Sequence, residues 1–128
     1  MILGIGTDLT AVDRLEEAAK KERFVQRYFT QQERDYWSSR GKRAEVLAGL
    51  WAAKEAVAKT LGSGFSGFGP DQIEVAPDAL GRPLVHLRDG AKDRAKQLGI
   101  ADLWVSISHD GGMAMAVALA QGGKEEEK

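Results

Sequence analysis

Trp51-Ala52-Ala53-Lys54-Glu55-Ala56-Val57-Ala58-Lys59 lies in an alanine-rich run with no glycine from Leu50 to Leu61 and no proline. That composition predicts a helix from about Lys42 to Leu61, stopped by Gly62. At about 100° per residue, Trp51, Glu55 and Lys59 recur at i, i+4 and i+8 and share one side. Ala48 and Ala52 lie beside them and leave room for a close approach. Val46, Leu47, Leu50, Ala53, Val57 and Leu61 form the opposite stripe, which suits a core. A carboxylate and an ammonium beside a flat aromatic would suit a metal-bound phosphate. The same Glu55–Lys59 spacing is also an ordinary surface pair, worth about 0.2–0.5 kcal/mol. Lys54 falls within the apolar stripe and is expected to snorkel to water or to form an ion pair at the rim of the core.

Around this helix the chain reads as short elements. Ile2 to Leu9 alternates as a strand, with Ile2, Gly4, Gly6 and Asp8 on one face and Leu3, Ile5, Thr7 and Leu9 on the other. Asp13 is placed to cap a helix running to about Tyr28, and Thr30-Gln31-Gln32-Glu33 reads as a capping box for a short helix. After the long helix come a glycine-rich loop from Gly62 to Gly69, strands over Gln72–Ala76 and Pro83–Arg88, and a helix over Asp89–Leu98. Strands over Leu103–His109 and Met113–Ala120 are joined by a tight hairpin at Asp110-Gly111-Gly112. Helices early and paired strands late predict an α+β fold, its antiparallel sheet packed against the apolar stripe of the long central helix. One domain is expected over residues 1–121, with a disordered polar tail over 122–128.

Composition narrows the function. At 128 residues the chain is a single domain. The absence of cysteine removes thiolate metal sites, disulfides and cysteine nucleophiles, and fits the cytoplasm. No apolar run reaches the roughly 20 residues of a membrane helix, and the start lacks the pattern of a secretory signal. A net charge of −1 argues against nucleic-acid binding. The charge is uneven, however: between Arg14 and Arg43 nine basic residues face five acidic ones. Such a locally basic surface suits an acidic partner or a phosphate ligand, or is simply a solvated face of mixed charge.

Four other features bear on chemistry. Gly62-Ser63-Gly64-Phe65-Ser66-Gly67 fits G-x-G-x-x-G, yet follows a helix rather than a strand, so it is not a dinucleotide fingerprint. Asp8 is either a polar strand end or one of two carboxylates, with Glu55, holding a hard cation. The sequence leaves open whether they meet. Ser106-Ile107-Ser108-His109-Asp110 invites a hydrolase reading, but Ser108 and His109 are strand neighbours whose side chains leave on opposite faces. His86 reads as structural or exposed.

Gly4-Ile5-Gly6-Thr7-Asp8, the Trp51–Lys59 helix and Ser106-Ile107-Ser108-His109, in that order, resemble the bacterial holo-acyl-carrier-protein synthases, the short phosphopantetheinyl transferases. The likeness runs from about Ile2 to Gln121 and includes Gly62-Ser63-Gly64 and Gly81-Arg82-Pro83. It implies transfer of 4′-phosphopantetheine from coenzyme A to a serine of an apo carrier protein, and a homotrimer with active sites between subunits. By the same resemblance Asp8 and Glu55 carry Mg²⁺, Glu55 and Lys59 are catalytic, and Glu55 or a metal-held water is the base. Lys42, Arg43, Lys59, Gly62, Gly64, Pro83, Ser108 and His109 bind coenzyme A. Arg14, Lys21, Arg23 and Arg27 dock the acidic acyl carrier protein. Relatives often carry arginine just before the helix aromatic; here Leu50 stands there, and Lys42 or Arg43 is left to substitute. Two rival readings remain: a Mg²⁺-dependent hydrolase of coenzyme A or another diphosphate, and a non-catalytic coenzyme A-binding or carrier-binding module.

Overall fold

The computed structural model describes residues 1–62 and 64–123. Strand β1 (Ile2–Ala11) leads into helices α1 (Val12–Ala19), α2 (Glu22–Tyr28), α3 (Gln31–Ser39) and α4 (Ala44–Thr60). A short 3-10 turn at Pro70–Gln72 precedes β2 (Ile73–Pro77) and β3 (Pro83–Leu87). Helix α5 (Asp89–Gln97) and strands β4 (Ile100–Asp110) and β5 (Met113–Gly122) complete the chain. The strands form two antiparallel sheets, one in the order β1-β5-β4 and one of β2 with β3. This is the α+β class expected. The hairpin between β4 and β5 pairs Asp110 with Met113 across Gly111-Gly112, both with positive φ (56° and 78°), as a two-residue primed turn requires.

Several local expectations change. The helix from Asp13 is two helices: it breaks at Lys20 and Lys21, and Asp13 lies in the first turn rather than capping it. The break re-aims α2, so that Phe24, Tyr28 and the following Phe29 all place their rings about 6 Å or less from Trp51 (5.8, 5.9 and 5.9 Å). The capping box at Thr30 is present, with both reciprocal bonds to Glu33. Strand β5 continues to Gly122, so the proposed tail loses its first residue to the sheet; residues 124–128 lie outside the described residues, as does Ser63.

The largest correction concerns which side of α4 meets the sheet. The bulky stripe was expected there; instead the small-residue side is. A Cβ on Gly6 would lie 2.0 Å from the Ala56 carbonyl oxygen, and one on Gly4 3.0 Å from that of Thr60. Gly49 meets Ile107 of β4 in the same way, at 3.0 Å. Ala114, Ala116, Ala118 and Ala120 of β5 are fully buried on the same side of the sheet. Small residues on both surfaces let helix and sheet come together closely, and the contact area replaces side-chain bulk. Leu47, Leu50, Trp51, Val57 and Leu61 are buried elsewhere in the core. Ala48 and Ala52, expected on a cleared face, are fully buried as well.

Lys54 is neither snorkelling nor at a rim. It is 0% exposed and its Nζ lies 2.7 Å from Glu33 Oε1. Its other donors reach the carbonyl oxygens of Pro70 (2.9 Å) and Ile73 (2.6 Å), so all three ammonium protons have acceptors. Glu33 is equally occupied: Oε1 also accepts from the Thr30 N–H and Oε2 accepts from the Val75 N–H at 2.7 Å. Burial pushes the Glu33 carboxyl up and the Lys54 ammonium down, and each charge opposes the shift of the other.

Candidate active site

Strand β1 runs antiparallel along α4, with Gly4 beside Thr60 and Gly6 beside Ala56 and Lys59. Asp8 is next on that face, and this approach brings it to Glu55 and Lys59. Lys59 Nζ donates to the Thr7 carbonyl oxygen at 2.6 Å and lies 3.6 Å from Asp8 Oδ1. Asp8 Oδ2 accepts from the Thr10 hydroxyl at 2.7 Å. Burial raises the Glu55 carboxyl, and the Asp8 charge raises it further; Lys59 and Arg14 pull it down without cancelling the shift. The Asp8 charge thus reaches Glu55, a relation that the sequence leaves open. Trp51 does not join them: it is 7% exposed and belongs to the aromatic cluster with α2.

The donor set fits a hard divalent ion. Two neighbouring carboxylates, one raised by the other's charge, are relieved by a cation between them, and Mg²⁺ commonly takes only one or two protein carboxylates. Among the described residues no group of three or more His, Asp or Glu side chains is gathered at any point.

A cleft of about 500 Å³ opens at the other end of α4. Its walls include Leu50, Val75, Pro83 and Ile107, and its polar groups include Tyr36, Glu45, Arg82 and His109. Asp78 shapes one wall: its Oδ1 accepts from the N–H groups of Leu80 and Arg82, and its Oδ2 from Arg82 Nε at 3.0 Å. That closes the β2–β3 loop, with Gly81 at φ 85°, and holds Arg82-Pro83 beside β4. Glu45 pairs with Arg43 through Oε1, and its Oε2 lies 3.7 Å from His109 Nδ1. Lys42, in the same turn and at φ 55°, sets its Nζ 5.7 Å above the Trp37 ring.

The residues expected to bind coenzyme A do not converge within one chain. Pro83 and His109 line the cleft, and Arg43 reaches it through Glu45. Gly62 and Gly64 lie beyond the C-terminal end of α4, Gly62 beside Arg94. From Glu45 to Leu61 the helix rises about 24 Å at 1.5 Å per residue. Ser108 is exposed and shares with Trp104 the face of β4 opposite to His109. Within one chain these groups therefore lie at separate places on the surface rather than around one cavity.

Of the residues expected to dock a partner, Arg14 and Lys21 border a groove of about 560 Å³ between α1 and α2, with Glu17, Lys20 and Phe24. Arg23 is exposed, and Arg27 places its guanidinium 5.4 Å over the Tyr28 ring. Arg14 also has a relationship that the sequence does not suggest: its charge lowers the Glu55 carboxyl. Thr10 and Glu45 were missed altogether. Asp8-Leu9-Thr10 puts Thr10 on the same face of β1 as Asp8, a legible signal for the first; nothing local marked the second.

A profile of the 4'-phosphopantetheinyl transferase superfamily matches residues 4–118. The chain is 46% identical over 122 residues to a holo-[acyl-carrier-protein] synthase of Clostridium novyi (strain NT), covering 94% of this chain and 88% of that protein. The crystal structure of a holo-[acyl-carrier-protein] synthase from Neisseria meningitidis superposes with a TM-score of 0.86 at 31% identity, over 94% of this chain and 99% of that one. The Helicobacter pylori holo-[acyl-carrier-protein] synthase, solved in complex with coenzyme A, gives a TM-score of 0.81 at 29% identity, over 91% and 99%.

Proposed function

The chain belongs to the 4'-phosphopantetheinyl transferase superfamily, and we propose that it transfers the 4′-phosphopantetheine arm of coenzyme A to a serine of apo acyl carrier protein. The products are holo carrier protein and adenosine 3′,5′-bisphosphate. The observation that carries this reading is the placement of Asp8 beside Lys59 and within electrostatic reach of Glu55, on the face of β1 pressed against α4; β1 runs on to Ala11, so Asp8 lies inside the strand rather than at its end.

The serine oxygen attacks the phosphorus that bears pantetheine, the bond to the bridging oxygen breaks, and the adenosine bisphosphate leaves. Such a transfer asks the protein mainly for positioning and charge neutralisation. Asp8 and Glu55 would hold Mg²⁺, which when bound neutralises the diphosphate oxygens and the charge growing on the leaving phosphate. Lys59 is half exposed and already aligned by the Thr7 carbonyl, so its ammonium can meet that phosphate without reordering. Serine needs a base within hydrogen-bond reach, and Glu55 or a water beside it would take the proton. Pro83, His109, Lys42 and Arg43 would bind the nucleotide at the cleft. Arg14, Lys21, Arg23 and Arg27 would receive the acidic carrier, raising the association rate.

We further propose a homotrimer. The outward face of the β1-β5-β4 sheet exposes Ile5 (63%), Leu9 (66%), Trp104 (52%), Met113 (38%) and Met115 (43%). A contiguous apolar face of this kind supports burial against another chain. It replaces Ala48 and Ala52 as the place of approach, and Ser108, on the same face, would enter a neighbour's site. The same reading places the protein in the cytoplasm.

Incubation with apo carrier protein, coenzyme A and Mg²⁺, followed by intact mass of the carrier, tests the function. A gain of one phosphopantetheine is expected. Adenosine bisphosphate formed without carrier modification would indicate a hydrolase, and binding without turnover a module.

A further inference from the structure

Thr10 is 1% exposed on the inward face of β1. Its backbone belongs to the sheet ladder, paired with Ala114, so its hydroxyl is the one group at this position not committed to the strand. A buried hydroxyl needs an acceptor, but packing alone does not call for a hydroxyl here: valine has the same branched shape and suits a strand equally well. The hydroxyl is directed to Asp8 Oδ2, at 2.7 Å. Oδ1 is left on the side of Lys59, 3.6 Å from its Nζ. A short bond to one oxygen fixes the rotation of the carboxylate about its own axis, which the strand backbone does not.

We propose that Thr10 is a positioning residue for a divalent cation, holding the Asp8 carboxylate in the orientation that shares the ion with Glu55. The proposal rests on the reading that Asp8 and Glu55 are the metal ligands. Partners that hydrogen-bond a ligating group typically change metal affinity by about 10–100-fold when removed. Thr10 touches neither substrate nor ion and acts only through Asp8.

The test is Mn²⁺ binding to the full chain without coenzyme A or carrier protein, followed by electron paramagnetic resonance, with Mg²⁺ as competitor. Thr10→Val removes the hydroxyl and keeps the shape. Thr10→Ser and Thr10→Ala both lack the γ-methyl and differ only in the hydroxyl, so a packing defect is common to the pair. Affinity is expected to fall about tenfold or more in Thr10→Val and Thr10→Ala and to stay near wild type in Thr10→Ser. Equal affinity in the Ser and Ala variants overturns the role of Thr10. Asp8→Asn separates the two levels. If it weakens binding while the Thr10 variants do not, Thr10 alone is wrong. If it leaves binding unchanged, the metal reading fails and the role of Thr10 fails with it.

Discussion

Lys54 of α4 and Glu33 of α3 form an ion pair at 2.7 Å with both side chains fully buried. Together they gather the N-terminus of α3, the turn at Pro70 and the backbone of β2, through the N–H groups of Thr30 and Val75 and the carbonyls of Pro70 and Ile73. Buried ions are costly to desolvate, and a pair is tolerated only when the remaining bonds are made, as they are here. Lys54→Met is therefore expected to destabilise the protein by about 3–5 kcal/mol, because it strands a buried carboxylate. Denaturant unfolding measures this; a loss below about 1 kcal/mol would contradict the role given to the pair.

Glu55→Gln keeps the shape of a half-buried side chain and removes its charge. Mg²⁺-dependent transfer should fall by roughly two orders of magnitude or more while the unfolding midpoint is retained. Chelation of Mg²⁺ should abolish turnover by the wild type. Ordinary turnover by the variant would remove Glu55 from the site.

The pH dependence follows from the raised Glu55 carboxyl. A raised carboxyl holds its proton to higher pH, and a metal ligand must be deprotonated. Mg²⁺ affinity should therefore drop as pH falls through a value above the ordinary glutamate range. Asp8→Asn removes the like charge and should move the Glu55 titration down, whereas loss of the Arg14 charge should move it up. Carboxyl-carbon NMR of Glu55 reads both directions, and shifts of opposite sign would refute the electrostatic account.

Arg14→Glu should weaken carrier binding far more than coenzyme A binding. Because Arg14 also influences Glu55, Lys21→Glu in the same groove is the cleaner probe. Its effect should appear mainly in the association rate and shrink with added salt. Equal losses for carrier and coenzyme A would move the docking surface elsewhere.

The sheet face offers a fifth measurement. Ile5→Glu or Leu9→Glu adds a charge at a position that is mostly exposed within the chain. Folding should be unaffected, and sedimentation should show a smaller particle than wild type together with lost transfer. A wild-type monomer that is fully active would rule out the trimer.

What the sequence by itself determined was local. Alanine density and the terminal glycine marked α4, Thr30 with Glu33 marked the cap of α3, and Gly111-Gly112 marked the β4–β5 hairpin. In each case residues within one or two turns contain the whole physical cause. Strand alternation even put Gly4, Gly6 and Asp8 on the face that meets α4. Only the tertiary structure decided what these elements meet. Periodicity sorts residues around a helix but cannot say which side another segment will take, and here small-on-small contact won the sheet while the bulky stripe went elsewhere. Lys54 could be buried only because three acceptors, from Glu33 and from the Pro70–Ile73 stretch, converge on it. The approach of Asp8 to Lys59 arises in the same way, from the backbone contact of Gly6 with Ala56 that no local pattern encodes.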